Sequence, residues 1–161
     1  MNSEKLRNWL EIVGIFSVVA SLVFVGLQMR QAHKISLSQT YQSRTTAAAE
    51  FNATFASNPI ALSAYAKTVA GRSEEITAEE YQSLHRMIVA VLHLYDNAHF
   101  QYQQGFVSEE FWLATRTSLK SWMRFGVSNA IILERMDVQG RPEFKAVVRS
   151  IEDELRKDVA D

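Results

Sequence analysis

The chain has 161 residues, enough for one helical domain with a real core and too few for two large ones. Seventeen Lys and Arg residues nearly balance eighteen Asp and Glu residues, so the basic footprint of a nucleic-acid binder is absent and no nucleic-acid partner is expected. There is no cysteine, which excludes a disulfide framework, a thiol nucleophile and a Cys-ligated zinc site while suiting cytoplasm and periplasm alike.

The first element is apolar. "IVGIFSVVASLVFVGL", Ile12 to Leu27, carries no charge and covers about 24 Å as a helix; extended from Leu10 to Met29 it reaches about 30 Å, the thickness of the hydrocarbon layer. Trp9 suits the headgroup level, Glu11 one boundary, and Gln28 and Arg30 the other. A spanning helix within residues 1–30 is predicted ahead of two rivals. A secretory signal peptide is disfavoured because Glu4 and Glu11 flank the run and no small-x-small cleavage site follows Val25. A buried core helix is disfavoured by length. Lys5 and Arg7 precede the span and Arg30, Lys34 and Arg44 follow it, a balance that tips the C-terminal domain toward the cytoplasm. Inside the span, Gly14, Ser17 and Ser21 share one face, with Ala20 nearby. Small residues let helices approach closely in lipid.

From Leu27 to Ser57 no glycine or proline interrupts the chain, so the helix is expected to continue as a stalk over residues 31–57. Leu37, Tyr41, Ala48, Phe51 and Phe55 recur in steps of three, four and seven, and Arg44 fills the one polar slot of that stripe. The small-residue face and the stripe together predict self-association or capture of a partner's helix. Asn58-Pro59 ends the element. A helix over residues 3–57 would be roughly 80 Å long.

Residues 58–161 are expected to form a helical domain. A short helix runs from Pro59 to Ala70 with Gly71 as terminator. "TAEE" sets Thr77 three residues before Glu80, the capping-box spacing, and opens a long helix to Gln104, closed by Gly105. Ser108 and "EEFW" open another, with carboxylates at its positive end. Gly126 and Gly140-Arg141-Pro142 mark later breaks, and the last helix covers residues 142–157.

The long helix carries two stripes. Tyr81, Leu84, Ile88, Val91, Tyr95, Ala98 and Tyr102 alternate steps of three and four, as a core seam does. His85, Val89, Leu92, Asp96 and His99 form the second, with Asp96 and His99 one turn apart. Helical bundles that bind two metal ions use a carboxylate-x-x-His step of this kind, so Asp96 and His99 are the candidate metal ligands. The chain has no second such step, and His85 lies about 16–21 Å along the axis from both. The structural alternative is a polar pair that hydrogen-bonds within the bundle. Phe111, Trp112, Trp122 and Phe125 read first as core, with a ligand pocket as the alternative. "SIEDELRKD" reads as a solvated helix face, with a docking tail as the alternative. No Gly-x-Ser-x-Gly elbow or glycine-rich phosphate loop is present, and no catalytic residue or cofactor is assigned.

"EIVGIFSVVASLVFVGLQMRQA", an "NP" break and "YDNAHFQYQQGFVSEEFW" together resemble a widespread family of small, uncharacterised bacterial single-span membrane proteins with a C-terminal helical domain. The resemblance rests on Gln28, Arg30 and Gln31 at the end of the span and on Tyr102, Gln103, Gly105 and Trp112 downstream. It departs at Asp96, where the family often has glutamate, and at Ala32-His33. It implies the layout and no mechanism.

The expected fold is therefore all-α: a long N-terminal transmembrane helix continuing into a stalk, then a small helical bundle. The expected function is a scaffold or accessory subunit in a bacterial inner membrane, single-pass, homo-oligomeric or part of a larger complex, with the lipid bilayer as its first partner. A membrane-tethered metal-binding enzyme or sensor centred on Asp96 and His99 is the alternative.

Overall fold

The computed structural model describes residues 3–160; Met1, whose amine would add to the charge before the span, lies outside them. The described residues are all-α and contain no strand, with a long N-terminal helix followed by a helical bundle. The helices are α1 (Ser3–Ala56), α2 (Pro59–Val69), α3 (Ala78–Gln103), α4 (Glu109–Met123), α5 (Gly126–Gln139) and α6 (Pro142–Ala160), with one 3-10 turn at Ser73–Glu75. Two compact units divide within α1: residues 1–41, and residues 42–161, which hold the rest of α1 and all the other helices.

Over its described residues the first unit is a single helix, apolar on every face from Ile12 to Leu27. An 18-residue window in α1 has a mean hydropathy of 2.4, and none of it is buried. By length and composition this helix can cross a membrane. Ser17 Oγ donates to the Val13 carbonyl at 2.8 Å, so its hydroxyl is satisfied within the helix and needs no water.

In the second unit, local chemistry sets the helix ends. Pro59 opposes α-helical geometry at Asn58, which is extended (φ −106°, ψ 96°) and caps α2 by accepting from the Ile60 and Ala61 amides at 3.1 and 3.0 Å. Gly71 and Gly105 adopt positive φ (70° and 76°). Each closes a Schellman motif: the Arg72 amide reaches the Lys67 carbonyl and the Phe106 amide the Gln101 carbonyl, both at 2.9 Å. Thr77 and Glu80 make the predicted capping box, with the Glu80 amide donating to Thr77 Oγ1 (3.2 Å) and the Thr77 amide to Glu80 Oε2 (2.8 Å).

Glu80 also joins two helices. Its carboxylate accepts from Lys67 Nζ at 2.7 and 2.8 Å and from Ser63 Oγ at 2.6 Å, tying the start of α3 to α2. These donors, Lys67 foremost, hold its carboxyl down at about 2.

Helix α3 is the centre of the unit and packs on α2, α4 and α5, while α6 covers α4 and α5. Leu84, Ile88 and Leu92 of α3 meet Leu119 of α4, Ile131 and Ile132 of α5, and Phe144, Val148 and Ile151 of α6 in one core. Each such side chain contributes roughly 1.5–3 kcal/mol by leaving water. The predicted seam is buried at Leu84, Ile88, Val91 and Ala98, while Tyr95 and Tyr102 are half-buried and Tyr81 is exposed. The second stripe is buried as well, at Leu92 and His99. Both faces of α3 are enclosed because neighbours lie on more than one side.

Candidate functional site

Asp96 and His99 occupy successive turns of α3, and the structure gives them different partners. Asp96 faces the start of α6: Arg141 Nη2 lies 2.8 Å from Asp96 Oδ1, Nε of the same guanidinium donates to that oxygen at 2.9 Å, and Nη2 also donates to the Asp96 carbonyl at 3.1 Å. One arginine thus fastens both the side chain and the backbone of α3 to the α5–α6 turn. Gly140 and Pro142 on either side of it end α5 and begin α6, which places residue 141 at the junction.

His99 turns inward and is 6% exposed. Its ring lies 4.7 Å from Trp112 and 5.8 Å from Phe144, centroid to centroid, and Nδ1 has no hydrogen-bond partner. Burial, followed by the nearby Arg141 charge, pushes the imidazole pKa below its ordinary value. The ring is therefore neutral at pH 7 and packs as an aromatic core residue. Among the described residues no group of three or more His, Asp or Glu gathers where an ion could bind. A metal at Asp96 and His99 would have to displace Arg141 and find its further ligands outside these residue types.

An aromatic-lined concavity lies elsewhere, between α1, α3 and α4. A cleft of about 380 Å³ is lined by Arg44, Ala48 and Phe51 from α1, Val91, Leu94 and Tyr95 from α3, and Phe111, Ser118 and Trp122 from α4, among others. Phe51 and Phe55 stack at 6.4 Å and seat this end of α1 against the core. Phe55 meets Tyr65 edge-on at 5.7 Å, and Tyr65 meets Trp122 at 5.2 Å, so an aromatic chain runs beneath the cleft from α1 through α2 to α4. Above it, the Arg44 guanidinium lies over the Phe111 ring at 4.0 Å, a cation–π contact. Tyr95 Oη and Ser118 Oγ share a hydrogen bond of 2.7 Å across the α3–α4 wall, and burial raises the phenol's pKa above its usual value. Chemically, the cleft is lined by aromatic rings, a hydroxyl pair and one arginine.

The predicted interface residues fall into three groups. Gly14, Ser17 and Ser21 lie on the exposed apolar part of α1, where a Cβ at Gly14 would meet nothing within 4 Å. Leu37 is half-buried and Tyr41 is 64% exposed. Phe51 and Phe55 pack on the bundle core, and Ala48 lines the cleft. The aromatic residues of α4 also divide: Trp112 is core, packed on His99 and Tyr102, while Phe111 and Trp122 face the cleft. The charged C-terminal stretch is tied down in part, since Glu154 pairs with Arg116 and Lys120, and Asp158 with Lys120.

Sequence reasoning offered a ligand pocket at Phe111, Trp112, Trp122 and Phe125 only as the alternative to core; the cleft takes Phe111 and Trp122 from that set, and its walls from α1 and α3 were not foreseen.

Comparison with protein families, curated proteins and solved structures finds no match.

Proposed function

We propose that this chain is a membrane-anchored helical scaffold or accessory subunit, held in a bacterial inner membrane by α1 and acting through contacts with further copies or with a larger membrane complex. The observation that carries the proposal is the apolar window of α1, whose mean hydropathy is 2.4 and of which nothing is buried. A helix that is apolar all round belongs in a protein core or in lipid. This window is not in the core. Trp9 and Arg30, at its two ends, suit the interfacial levels. The cationic balance across it favours a cytoplasmic bundle.

Gly14, Ser17 and Ser21 supply the closest-approach face within the bilayer, since lipid offers no hydrophobic drive and close packing takes over. Beyond the bilayer, Leu37 and Tyr41 continue the stripe toward a neighbouring copy or a partner helix. A metal-binding enzyme or sensor at Asp96 and His99 gains no support, because Asp96 is engaged by Arg141 and His99 by Trp112 and Phe144.

Particle mass and co-purifying partners in mild detergent test the proposal. With Gly14 and Ser17 both replaced by leucine, the mass or partner recovery should fall. Identical mass and recovery would remove the interface from the proposal.

A further inference from the structure

Arg30 and Lys34 are exposed on the first unit of the chain, just past the apolar run that ends at Leu27. Leu27, Arg30, Gln31 and Lys34 line one shallow groove on α1, because steps of three and four return a helix to the same face. The two cations are therefore neighbours, and like charges four residues apart repel. No carboxylate on the helix offsets them. Glu11 and Glu50 are the nearest acidic residues in the sequence, roughly 28 Å and 24 Å away along α1, well beyond the range of a screened charge in physiological salt. Among the described residues no ion pair includes Arg30 or Lys34. The other end of the apolar run differs, since Glu4 and Glu11 there accompany Lys5 and Arg7.

With α1 taken as the membrane anchor proposed above, on which the assignment rests, these levels fit a phospholipid. Arg30 stands about 4.5 Å and Lys34 about 10.5 Å past Leu27 along the helix axis, and the headgroup layer on each side of the hydrocarbon is about 5–8 Å deep. The guanidinium is thus at headgroup level, and the long lysine stem can bring its ammonium back to the same level. One turn deeper, Val23, Phe24 and Leu27 share this face and are exposed, an apolar track for acyl chains. Phosphatidylcholine brings its own cation to the pair, whereas an anionic lipid brings a net negative charge that both side chains can share. We propose that Arg30 and Lys34 hold the phosphate of an anionic glycerophospholipid whose acyl chains run along Val23, Phe24 and Leu27.

Native mass spectrometry of the full chain in neutral detergent tests this, with equimolar phosphatidylglycerol and phosphatidylcholine of identical acyl chains. Phosphatidylglycerol adducts should outnumber phosphatidylcholine adducts by about threefold or more. Arg30→Gln and Lys34→Gln should each lower the ratio and together bring it to about one, while Arg7→Gln leaves it unchanged. Excess glycerol 3-phosphate, which has the phosphate and lacks the chains, should displace no lipid. Glutamine is a good helix former, so circular dichroism should match wild type; should the double variant lose helix, the wild-type ratio and the single variants decide. A carbonate wash of the wild-type chain in phosphatidylcholine vesicles separates anchor from lipid site. If the chain washes off, both fail. If it stays, the lipid site alone is overturned by a wild-type ratio of about one, a ratio unmoved by the Arg30 and Lys34 variants, an equal fall with Arg7→Gln, or displacement by glycerol 3-phosphate.

Discussion

The proposed membrane anchor predicts that arginine at both Val18 and Leu22 makes the chain removable from membranes by alkaline carbonate. The two positions lie one turn apart near the middle of the apolar window, where a charged side chain is farthest from either interface and least able to snorkel. From Leu10 to Met29, Leu10 included, there are twelve Leu, Ile, Val and Phe residues. At about 0.3–0.6 kcal/mol each, they favour insertion by roughly 4–7 kcal/mol. One central arginine costs about 2.5–3.5 kcal/mol and forfeits the residue it replaces, roughly 3–4 kcal/mol in all. Val18→Arg alone should therefore leave the chain in the membrane, whereas the pair removes roughly 6–8 kcal/mol and cancels the drive.

The assay is the share of protein that sediments with membranes after a carbonate wash. Wild type and Val18→Arg should sediment, and Val18→Arg/Leu22→Arg should stay in the supernatant. Arginines placed instead at Val69 and Val138, which are 47% and 69% exposed on the bundle, should change nothing. The reasoning fails if wild type washes off, or if the double variant sediments as completely as wild type.

Three further outcomes follow from the bundle. Glu80 has a folded-state pKa of about 2 against an ordinary 4.5, so its contribution is complete above pH 4.5 and is lost as pH falls through about 2; wild type should lose thermal stability across that window, and Glu80→Gln should start lower and change less. Leu84 is fully buried, so Leu84→Ala should lower unfolding stability by about 2–5 kcal/mol, read as a lower urea midpoint at unchanged slope. Gly105 sits at φ 76° with open space where a Cβ would go, so Gly105→Ala should cost about 1–2 kcal/mol through backbone strain alone, and a denaturation midpoint equal to wild type would contradict that.

Helix boundaries are legible in this chain because the signals that set them are local. The expected ends at residues 57, 70, 104 and 142 lie within a residue of those observed, since Asn58-Pro59, Gly71, the Thr77–Glu80 box and Gly105 each act on the backbone within a turn of themselves. The 3-10 turn at Ser73–Glu75 carries no comparable punctuation and was not anticipated. Burial around α3 is only half legible for a related reason. Periodicity identifies a stripe, but the number of neighbours decides how wide the buried face is, and α3 has neighbours on several sides.

Polar residues are harder to read, because a local spacing fixes which side chains share a face and leaves their partners open. Asp96 and His99 have the spacing of a ligand pair, yet Arg141, 45 residues away in the chain, takes the carboxylate, and Trp112 and Phe144 enclose the ring. Arg44 presents the opposite case. In the sequence it is merely an interruption, a charged residue in a stripe that otherwise runs through Leu37, Tyr41, Ala48, Phe51 and Phe55. In the structure, Phe51 and Phe55 bring this end of α1 onto the core, and residue 44, two turns back from Phe51, comes to lie over Phe111 at the wall of the cleft. A charge at that slot is costly unless something meets it, and the face of Phe111 is one group that does. An apolar residue would have completed the stripe at lower cost. The exception in the pattern is thus answered by a contact with Phe111, far along the chain from residue 44, which no local spacing reveals.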